Sequence, residues 1–520
     1  MPEQVSECAK SRCAKSECAK GEWREVSVCG CGGVRSERDM GSLLDLEFLR
    51  FLRSCRKYSN ELSAADDGSE VCVAGWLHDK RDLGGVLFAL IRDRGGVTQV
   101  TLRKETVGEE MLERFRKISR ESVVAVIGVL KAEKRAPRGF EIVPKRVEVL
   151  SEAKPELPLD VTGRVPANLD TRLDARFMDL RSERVKQIFL LRARVLKLAR
   201  EFLDARGFVE INTPKIVSTA TEGGAALFPI SYFEREAFLN QSPQLYKQMM
   251  MASGFDAVYE IGPIFRAEEH DTTKHLNEAT SLDVEVAFAD HEYVMSLLED
   301  LVVHIYEGVA EYEGLKALNI SLEVPKKPFE RITYEKALEL LAEEGIEMEW
   351  GEDLSTLAEK TLGEIIGAHY FITDWPCEIK PYYAMPSAAV ASESEHRTTN
   401  KDTERDDRGN GGDGGNGGNG GGNGSDLVRE TCNAFDLMHP RLELASGSQR
   451  IHDYELLRKN IAARGLNPES FRFYLEAFKY GMPPHAGFGL GIERLLMTML
   501  NIENIREVIL FPRDRRRLVP

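Results

Sequence analysis

Arg266 and Glu268 stand at the end of an apolar, strand-like run, just before a very polar stretch, EHDTTKHLN. Residues two apart on a strand project from the same face, so this pattern predicts a planar cation beside a carboxylate. Such a pair suits a nucleotide, because a guanidinium can bind a phosphate and a carboxylate can accept from the amino group of a base. The alternative is an ion pair on a solvated sheet, which would contribute little stability.

Two further carboxylates, Asp436 and Glu443, lie on apolar runs that turn back at residues 439–440. If both face one pocket, they suit a hard cation such as Mg²⁺, which keeps several waters and contacts phosphate oxygens. Ser446 can add an oxygen ligand. The alternative is a pair of solvated strand carboxylates.

The elements that position these residues begin with a β-rich region. Residues 71–150 contain five short strand-like runs with glycine turns and one polar helical segment at 108–120. This pattern predicts a small closed β-barrel of the OB type. On two neighbouring runs, Phe88 could stack an unpaired base and Gln99 could read a base edge. The alternative places Phe88 in the barrel core.

Composition divides the rest of the chain. Residues 1–60 contain tandem S-x-C-A-K repeats; they are expected to form a flexible extension, and they lack the CxxC spacing that favours a zinc site. The barrel is assigned to residues 61–150, and the proline-rich stretch 151–180 is predicted to be a hinge. A long amphipathic helix then opens a catalytic domain at 181–520. Within it, a Gly/Asn-rich stretch at about 387–426 is predicted to be a flexible insertion.

The overall composition excludes several classes of protein. The net charge of −16 argues against a broad non-specific grip on nucleic acid, although local basic patches are compatible with it. No apolar run is long enough to span a bilayer, and the N-terminus has no apolar region typical of a secretory signal. The nine cysteines are odd in number, and the four that follow residue 31 are scattered, which indicates buried thiols in a reducing cytoplasm rather than a disulfide framework.

Three stretches in order resemble the signature motifs of the class II aminoacyl-tRNA synthetases: GFVEINTP at 207–214, FRAE at 265–268 and GFGLGIERL at 487–495. The strings TEGG, QSPQLYKQ and HLNEA, with the C-terminal NIREVILFPRDRRRL, are similar to those of the aspartyl-tRNA synthetases of the archaeal/eukaryotic type. The resemblance runs from about residue 71 to 520, except for the insertion. It implies an α+β protein in which a five-stranded OB-fold barrel precedes a class II catalytic domain, an antiparallel sheet flanked by helices. It also implies a homodimer built through the first motif.

The resemblance further implies that ATP activates L-aspartate as an aspartyl-adenylate. The implied ATP-binding residues are Arg266, Glu268, His275, Glu443 and Arg494, of which Arg266 and Arg494 are catalytic. The implied aspartate-binding residues are Glu222, Gln244, Lys247, Asp283 and Arg450. The implied Mg²⁺ shell is Asp436, Glu443 and Ser446.

Two details of this assignment concern selectivity and stacking. Lys247 and Arg450 are expected to favour aspartate over asparagine, because a neutral amide would leave buried cations unpaired. Ala279 departs from the family pattern, since many class II enzymes carry at this position a phenylalanine that stacks on adenine.

The anticodon-binding barrel implies tRNA as the partner. Phe88 and Gln99 match the family's stacking and base-reading positions. His78 and Pro137 match the residues that accompany relaxed recognition, whereas the strict enzymes tend to carry tryptophan and lysine there. We therefore expect a cytoplasmic, non-discriminating enzyme that charges tRNA-Asp and also tRNA-Asn, with an amidotransferase acting downstream. The alternatives are a strict aspartate–tRNA-Asp ligase and a synthetase-like paralogue that binds RNA or a small molecule without charging tRNA.

Overall fold

The computed structural model describes residues 46–219, 227–269, 272–387 and 430–520. The chain divides into two compact units, one up to Pro155 and the other beginning at Glu156. The tandem cysteine repeats, Glu222 and nearly all of the predicted insertion lie outside the described residues. In the described ranges, no helix has the length and apolar character needed to cross a membrane.

The first unit is a β-barrel. Its elements are α1 (Leu46–Cys55), β1 (Glu70–Asp82), β2 (Val86–Asp93), β3 (Gly96–Arg103), α2 (Lys104–Lys117), β4 (Val123–Ala132) and β5 (Phe140–Ser151). The strands close in the order β1-β2-β3-β5-β4. Alternate residues of β2, such as Leu87 and Ala89, enter the apolar core, as the two-residue period of a strand requires. The predicted OB-fold barrel is confirmed, but α2 begins four residues earlier than predicted and bends at Gly108, where φ is 77°.

The second unit contains the remaining elements. In its first half these are α3 (Leu169–Asp174), α4 (Arg176–Asp179), α5 (Glu183–Asp204), β6 (Val209–Glu210), β7 (Ile216–Val217), β8 (Pro229–Tyr232), β9 (Arg235–Leu239), α6 (Gln244–Met251), β10 (Ala257–Phe265), β11 (Glu278–Ala287) and α7 (His291–Ala310). In its second half they are α8 (Gly314–Leu318), β12 (Glu330–Thr333), α9 (Tyr334–Glu343), α10 (Thr356–Ile366), β13 (Tyr370–Pro376), β14 (Thr431–His439), β15 (Leu442–Arg450), α11 (Tyr454–Ala463), α12 (Arg472–Phe478), β16 (His485–Gly491) and α13 (Ile492–Met499).

An eight-stranded sheet in the order β12-β13-β14-β15-β16-β11-β10-β6 organises this unit. Its pairs are antiparallel except at the two edges, where β12 pairs with β13 and β6 with β10 in parallel. Helices α5, α7 and α13 cover one face with an apolar core that includes Leu191, Leu298, Leu495 and Phe488. The predicted α+β class is therefore confirmed, and the helices leave the other face of the central strands available for a site.

Candidate active site

The uncovered face of the central strands lies below a cavity of about 360 Å³, a volume typical of small-molecule sites. Strands β11, β14, β15 and β16, the turn after β10 and the start of α13 contribute to its walls. It is lined by these residues singled out from the sequence: Gln244, Arg266, Glu268, His275, Ala279, Asp283, Asp436, Glu443, Ser446, Arg450 and Arg494. Lys247 is buried beside them and reaches Asp283.

Four buried charges form a network in the floor of this cavity. Lys247 Nζ lies 3.1 Å from Asp283 Oδ1 and 3.5 Å from Glu285 Oε2, and Arg450 donates from Nε and Nη2 to Glu285 over 3.0 and 3.3 Å. Burial raises the pKa of Glu285, but the charges of Arg450 and Lys247 outweigh it and hold the pKa below its ordinary value. The reason given for selectivity, that a neutral amide would leave both cations unpaired, is therefore wrong, because each cation already has a protein carboxylate as partner.

Two glycines of β16 make room for this network. Gly487 pairs with Glu285 and Gly489 with Asp283, and a Cβ on Gly487 would come within 2.2 Å of Glu285 Oε2. A glycine at every second position thus matches carboxylates at every second position of β11. Sequence reasoning missed Glu285, although the G-x-G spacing of the third motif and the string D-V-E at residues 283–285 were together a usable signal.

Some buried polar atoms at the cavity lack a hydrogen-bond partner within the described part of the chain. They are Asp283 Oδ2, Asp436 Oδ1 and the side-chain amide nitrogen of Gln244. Buried polar groups in native proteins are nearly always hydrogen-bonded, and leaving one unpaired costs about 1–3 kcal/mol. These atoms are therefore candidate contacts for ligands.

Asp436, Glu443 and Ser446 lie together because the hairpin of β14 and β15 contains a bulge. Asp436 is directly opposite Ser446, but the register slips so that Met438 opposes Glu443. The extra residue, Leu444, returns Glu443 to the face of Asp436, which a regular hairpin would not do.

Lys380 was missed by sequence reasoning, since nothing in its context marks it. Its Nζ lies 2.6 Å from Asp436 Oδ2 and 3.8 Å from the centre of the Trp375 ring. Burial raises the pKa of Asp436, and the charge of Lys380 offsets this only in part. One oxygen of Asp436 is thus held by the protein and the other is unpaired.

Arg494 and His275 form the opposite wall. Arg494 Nη1 donates to Glu443 Oε2 over 3.2 Å, and its Nη2 lies 3.3 Å from His275 Nε2. Because arginine only donates, Nε2 is the acceptor and His275 Nδ1 carries the proton toward Thr272 Oγ1, 2.8 Å away. Burial and the charge of Arg494 lower the pKa of His275, in agreement with this neutral tautomer.

Arg266 and Glu268 do not lie on a strand, so that part of the prediction is wrong. β10 ends at Phe265, and the backbone N–H of Glu268 donates to the carbonyl of Arg266 over 2.8 Å, which is a tight turn. Both side chains nevertheless line the cavity. Ala279 also lines the cavity, at the position where many class II enzymes carry a phenylalanine.

In the barrel unit, Phe88 and Gln99 lie on the same outer face of β2 and β3. Phe88 opposes Thr101 and Gln99 opposes Leu90, and Phe88 is half-buried outside the apolar core. Gln99 Nε2 lies 3.2 Å from Glu141 Oε2. The geometry therefore favours the exposed-aromatic interpretation of Phe88 over the core alternative.

His78 is the extra residue of a bulge in β1, where pairing with β2 slips between Leu77 and Asp79. Its Nδ1 lies 2.7 Å from Arg92 Nη1, and Arg92 also donates to Glu121 over 3.0 and 2.6 Å. Nδ1 is therefore an acceptor, and Nε2 carries the proton. Pro137 is exposed at the second position of a turn that the N–H of Gly139 closes on the carbonyl of Ala136, where its fixed φ fits.

A largely antiparallel sheet on which three motifs converge defines the catalytic domain of a class II aminoacyl-tRNA synthetase. The family model described as tRNA synthetases class II (D, K and N) matches residues 168–515, and the OB-fold nucleic acid binding domain matches residues 71–150. The chain belongs to the archaeal-type aspartate–tRNA(Asp/Asn) ligases of this class.

The similarity to known relatives extends over most of both chains. The Archaeoglobus fulgidus aspartate–tRNA(Asp/Asn) ligase is 54% identical over 467 residues, which cover 89% of this chain and 100% of that protein. The Methanoculleus marisnigri ligase of the same name is 56% identical over 452 residues, covering 86% and 96%. Among solved structures, the asparaginyl-tRNA synthetase of Pyrococcus horikoshii complexed with asparaginyl-adenylate has a TM-score of 0.77 at 31% identity, covering 89% of this chain and 99% of that chain.

Proposed function

We propose that this enzyme activates L-aspartate with ATP and transfers the aspartyl group to tRNA-Asp and to tRNA-Asn in the cytoplasm. The observation that carries the proposal is the buried network of Lys247, Arg450, Asp283 and Glu285 below the cavity. It offers charged groups of both signs where the substrate amino acid would bind. Asp283 Oδ2 suits the substrate ammonium, and the unpaired amide of Gln244 suits an oxygen acceptor.

The first step needs alignment and charge neutralisation rather than a protein base. The substrate carboxylate is already ionised; its oxygen attacks the α-phosphorus of ATP, and the bond to the bridging oxygen breaks with release of pyrophosphate. In this proposal Arg266 bridges the α-phosphate and the reacting carboxylate, Glu268 accepts from the adenine amino group, and Arg494 with His275 holds the γ-phosphate. In the second step, a hydroxyl of the 3′-terminal adenosine of the tRNA attacks the activated carbonyl and AMP leaves.

The residues of the β14–β15 hairpin fit a magnesium ion. Asp436 offers an unpaired buried oxygen, and Ser446 is exposed and offers a hydroxyl. Glu443 offers a carboxylate; burial raises its pKa, but the charge of Arg494 outweighs burial and lowers the pKa below its ordinary value. Mg²⁺ retains several waters, so few protein ligands suffice. When bound, the ion would neutralise charge on the phosphates, while Lys380 holds the second oxygen of Asp436.

Two features support a homodimer formed through the first motif. Strand β6 lies at the edge of the large sheet. Val209 on this strand is 42% exposed, and Ile216 on β7 is 47% exposed. An exposed edge strand with apolar side chains is a typical pairing surface.

Relaxed tRNA recognition is supported by His78 and Pro137 together and by the names of the relatives. A lysine in place of Pro137 would supply a base-edge donor that a proline side chain cannot provide. If tRNA-Asn is charged with aspartate, an amidotransferase must convert the product before it can be used as Asn-tRNA.

The test is the aspartylation plateau on tRNA-Asp and tRNA-Asn transcripts under identical conditions, with aspartate-dependent ATP–pyrophosphate exchange measured in parallel. We expect both transcripts to be charged, and we expect the double substitution His78→Trp and Pro137→Lys to reduce charging of tRNA-Asn while leaving pyrophosphate exchange at the wild-type rate. Charging of tRNA-Asp alone by the wild type would refute relaxed recognition and leave the strict ligase. Absence of both charging and exchange would favour the paralogue, and exchange that survives Arg266→Ala would refute the role of that arginine.

A further inference from the structure

The turn that carries Arg266 and Glu268 has no strand ladder to hold it, because β10 ends at Phe265. Buried backbone N–H and C=O groups must nevertheless find partners, and a binding residue on a loop is only as well placed as the groups that support it. The partners of this turn lie in two places. One is Asn277, and the other is the C-terminal segment, residues 505–517.

Asn277 holds both functional residues through their backbones. Its side-chain amide donates to the carbonyl of Arg266 over 2.8 Å and to the carbonyl of Glu268 over 3.3 Å, and its own carbonyl accepts from the N–H of Arg266 over 3.0 Å. Its N–H in turn donates to the carbonyl of Arg513 over 2.8 Å. Asn277 is only 8% exposed, so water does not readily replace these hydrogen bonds.

Arg506 makes the second connection between the C-terminal segment and this loop. Its Nη1 donates to the carbonyl of Thr272 over 2.9 Å, while its Nε donates to Asp514 over 2.7 Å, which orients the guanidinium. The N–H of the adjacent residue, Ile505, donates to the carbonyl of Thr273 over 2.9 Å. The segment therefore contacts the returning arm of the loop at consecutive carbonyls.

The C-terminal segment is itself anchored. Arg176, which is 1% exposed, donates to the carbonyls of Ile509 and Leu510 over 2.9 and 3.0 Å. Arg172 forms an ion pair of 3.0 Å with Glu507. Helices α3 and α4 therefore hold a segment that in turn holds the turn of Arg266 and Glu268.

We propose that the C-terminal segment acts as a positioning clamp for the ATP-binding turn, with Asn277 and Arg506 as its positioning residues. The proposal rests on the proposed function in one respect, namely that Arg266 and Glu268 bind ATP. Neither positioning residue lines the cavity in the described structure, so their effect on ATP must pass through the backbone that they hold. Among the described contacts, the buried network of Lys247, Asp283, Glu285 and Arg450 makes no hydrogen bond to Asn277 or Arg506. Aspartate binding should therefore be unaffected.

The test compares Asn277→Ala, Arg506→Met and Arg506→Lys with a matched control, Arg441→Met. Arg441 also donates to a backbone carbonyl, that of Ile502, over 3.0 Å, but it does not touch the loop. The measurements are the Kd for ATP by calorimetry, the KM for aspartate in pyrophosphate exchange, and amide hydrogen exchange of peptides from the Arg266 turn.

We expect Asn277→Ala and Arg506→Met each to weaken ATP binding about tenfold, which corresponds to the loss of one hydrogen bond. Amide exchange should quicken in the Arg266 turn and not in β15, and the KM for aspartate should stay within about twofold of wild type on the same argument. Arg506→Lys can keep one of the two hydrogen bonds and should show an intermediate Kd. Arg441→Met should match the wild type in all three measurements.

Unchanged ATP binding and unchanged amide exchange in Arg506→Met would overturn the clamp. Equal losses for ATP and aspartate, with faster exchange across the whole unit, would also overturn it, because they would show general destabilisation. If the wild type binds ATP but shows no aspartate-dependent pyrophosphate exchange, the proposed function is refuted. The calorimetric Kd values of the variants would still test the clamp. A wild type that binds no ATP would overturn both.

Discussion

Glu285→Gln should destabilise the catalytic unit strongly, although the residue is outside every sequence motif quoted for catalysis. Glu285 is fully buried and pairs with Arg450 at 3.0 and 3.3 Å and with Lys247 at 3.5 Å. The substitution keeps the shape of the side chain and removes its charge. Lys247 would keep Asp283, but Arg450 would lose the one carboxylate with which it pairs among the described contacts, which leaves a buried positive charge uncompensated.

Removal of one partner from a buried ion pair costs about 3–5 kcal/mol, and we expect a loss of this size in the free energy of unfolding of Glu285→Gln. The assay is urea unfolding followed by circular dichroism, with and without ligands. The uncompensated charge also predicts a change in ligand response, because a substrate carboxylate can restore neutrality. Saturating aspartate should therefore raise the unfolding midpoint of the variant more than that of the wild type, and asparagine should not.

A loss below about 1 kcal/mol would refute this reasoning, since it would place the pair in the range of solvated surface ion pairs. An equal response of the variant to aspartate and asparagine would refute the charge argument even if stability falls. Glu455→Gln is the matched control, because Glu455 pairs with Arg458 at 3.1 Å on the exposed surface of α11. It should show no measurable change.

Two further predictions concern metal and pH. Asp436→Asn should raise the Mg²⁺ concentration for half-maximal pyrophosphate exchange by about ten- to a hundredfold, the range seen when a metal site loses a polar partner; an unchanged magnesium titration would contradict the proposed site. His485 is fully buried, and burial lowers its pKa from 6.5 to about 4. Folding therefore favours the neutral imidazole. The stability that depends on a neutral His485 is fully present above pH 6.5, and up to about 3 kcal/mol of it is lost as the pH falls towards 4. His485→Gln should lose less stability between pH 7 and 4.5 than the wild type; parallel pH profiles of the two unfolding midpoints would contradict the assignment.

Much of the architecture was predictable because it rests on local patterns. The five barrel strands have two-residue periodicity and glycine turns, and they occur where the sequence predicts them. The long helix α5 has the three- and four-residue spacing of a buried stripe, and Gly207 follows its end with φ of 81°, a conformation that glycine adopts without strain. Such signals depend on residues close in sequence.

The misses concern interactions between distant residues. The turn of Arg266 is set by Asn277 and by the carbonyl of Arg513, so a strand pattern could not reveal it. The placement of Glu443 on the face of Asp436 depends on a one-residue bulge in β15, which hydrophobic alternation does not encode. Lys380 and Asp436 are 56 positions apart in sequence, so only the tertiary structure shows that they pair.

The charges around the cavity explain why a divalent cation belongs in the proposed reaction. Among the described residues, the lining contains five lysines and arginines and six aspartates and glutamates, and the buried pair of Lys247 and Glu285 adds one of each sign. The basic groups whose ion pairs are described each face a protein carboxylate: Arg494 with Glu443, Lys380 with Asp436 and Arg450 with Glu285. Such pairing stabilises the site, because a buried charge without a partner is costly. The described lining residues therefore carry no surplus of positive charge. Because ATP and aspartate both carry net negative charge, the positive charge that compensates the phosphates must enter with the nucleotide.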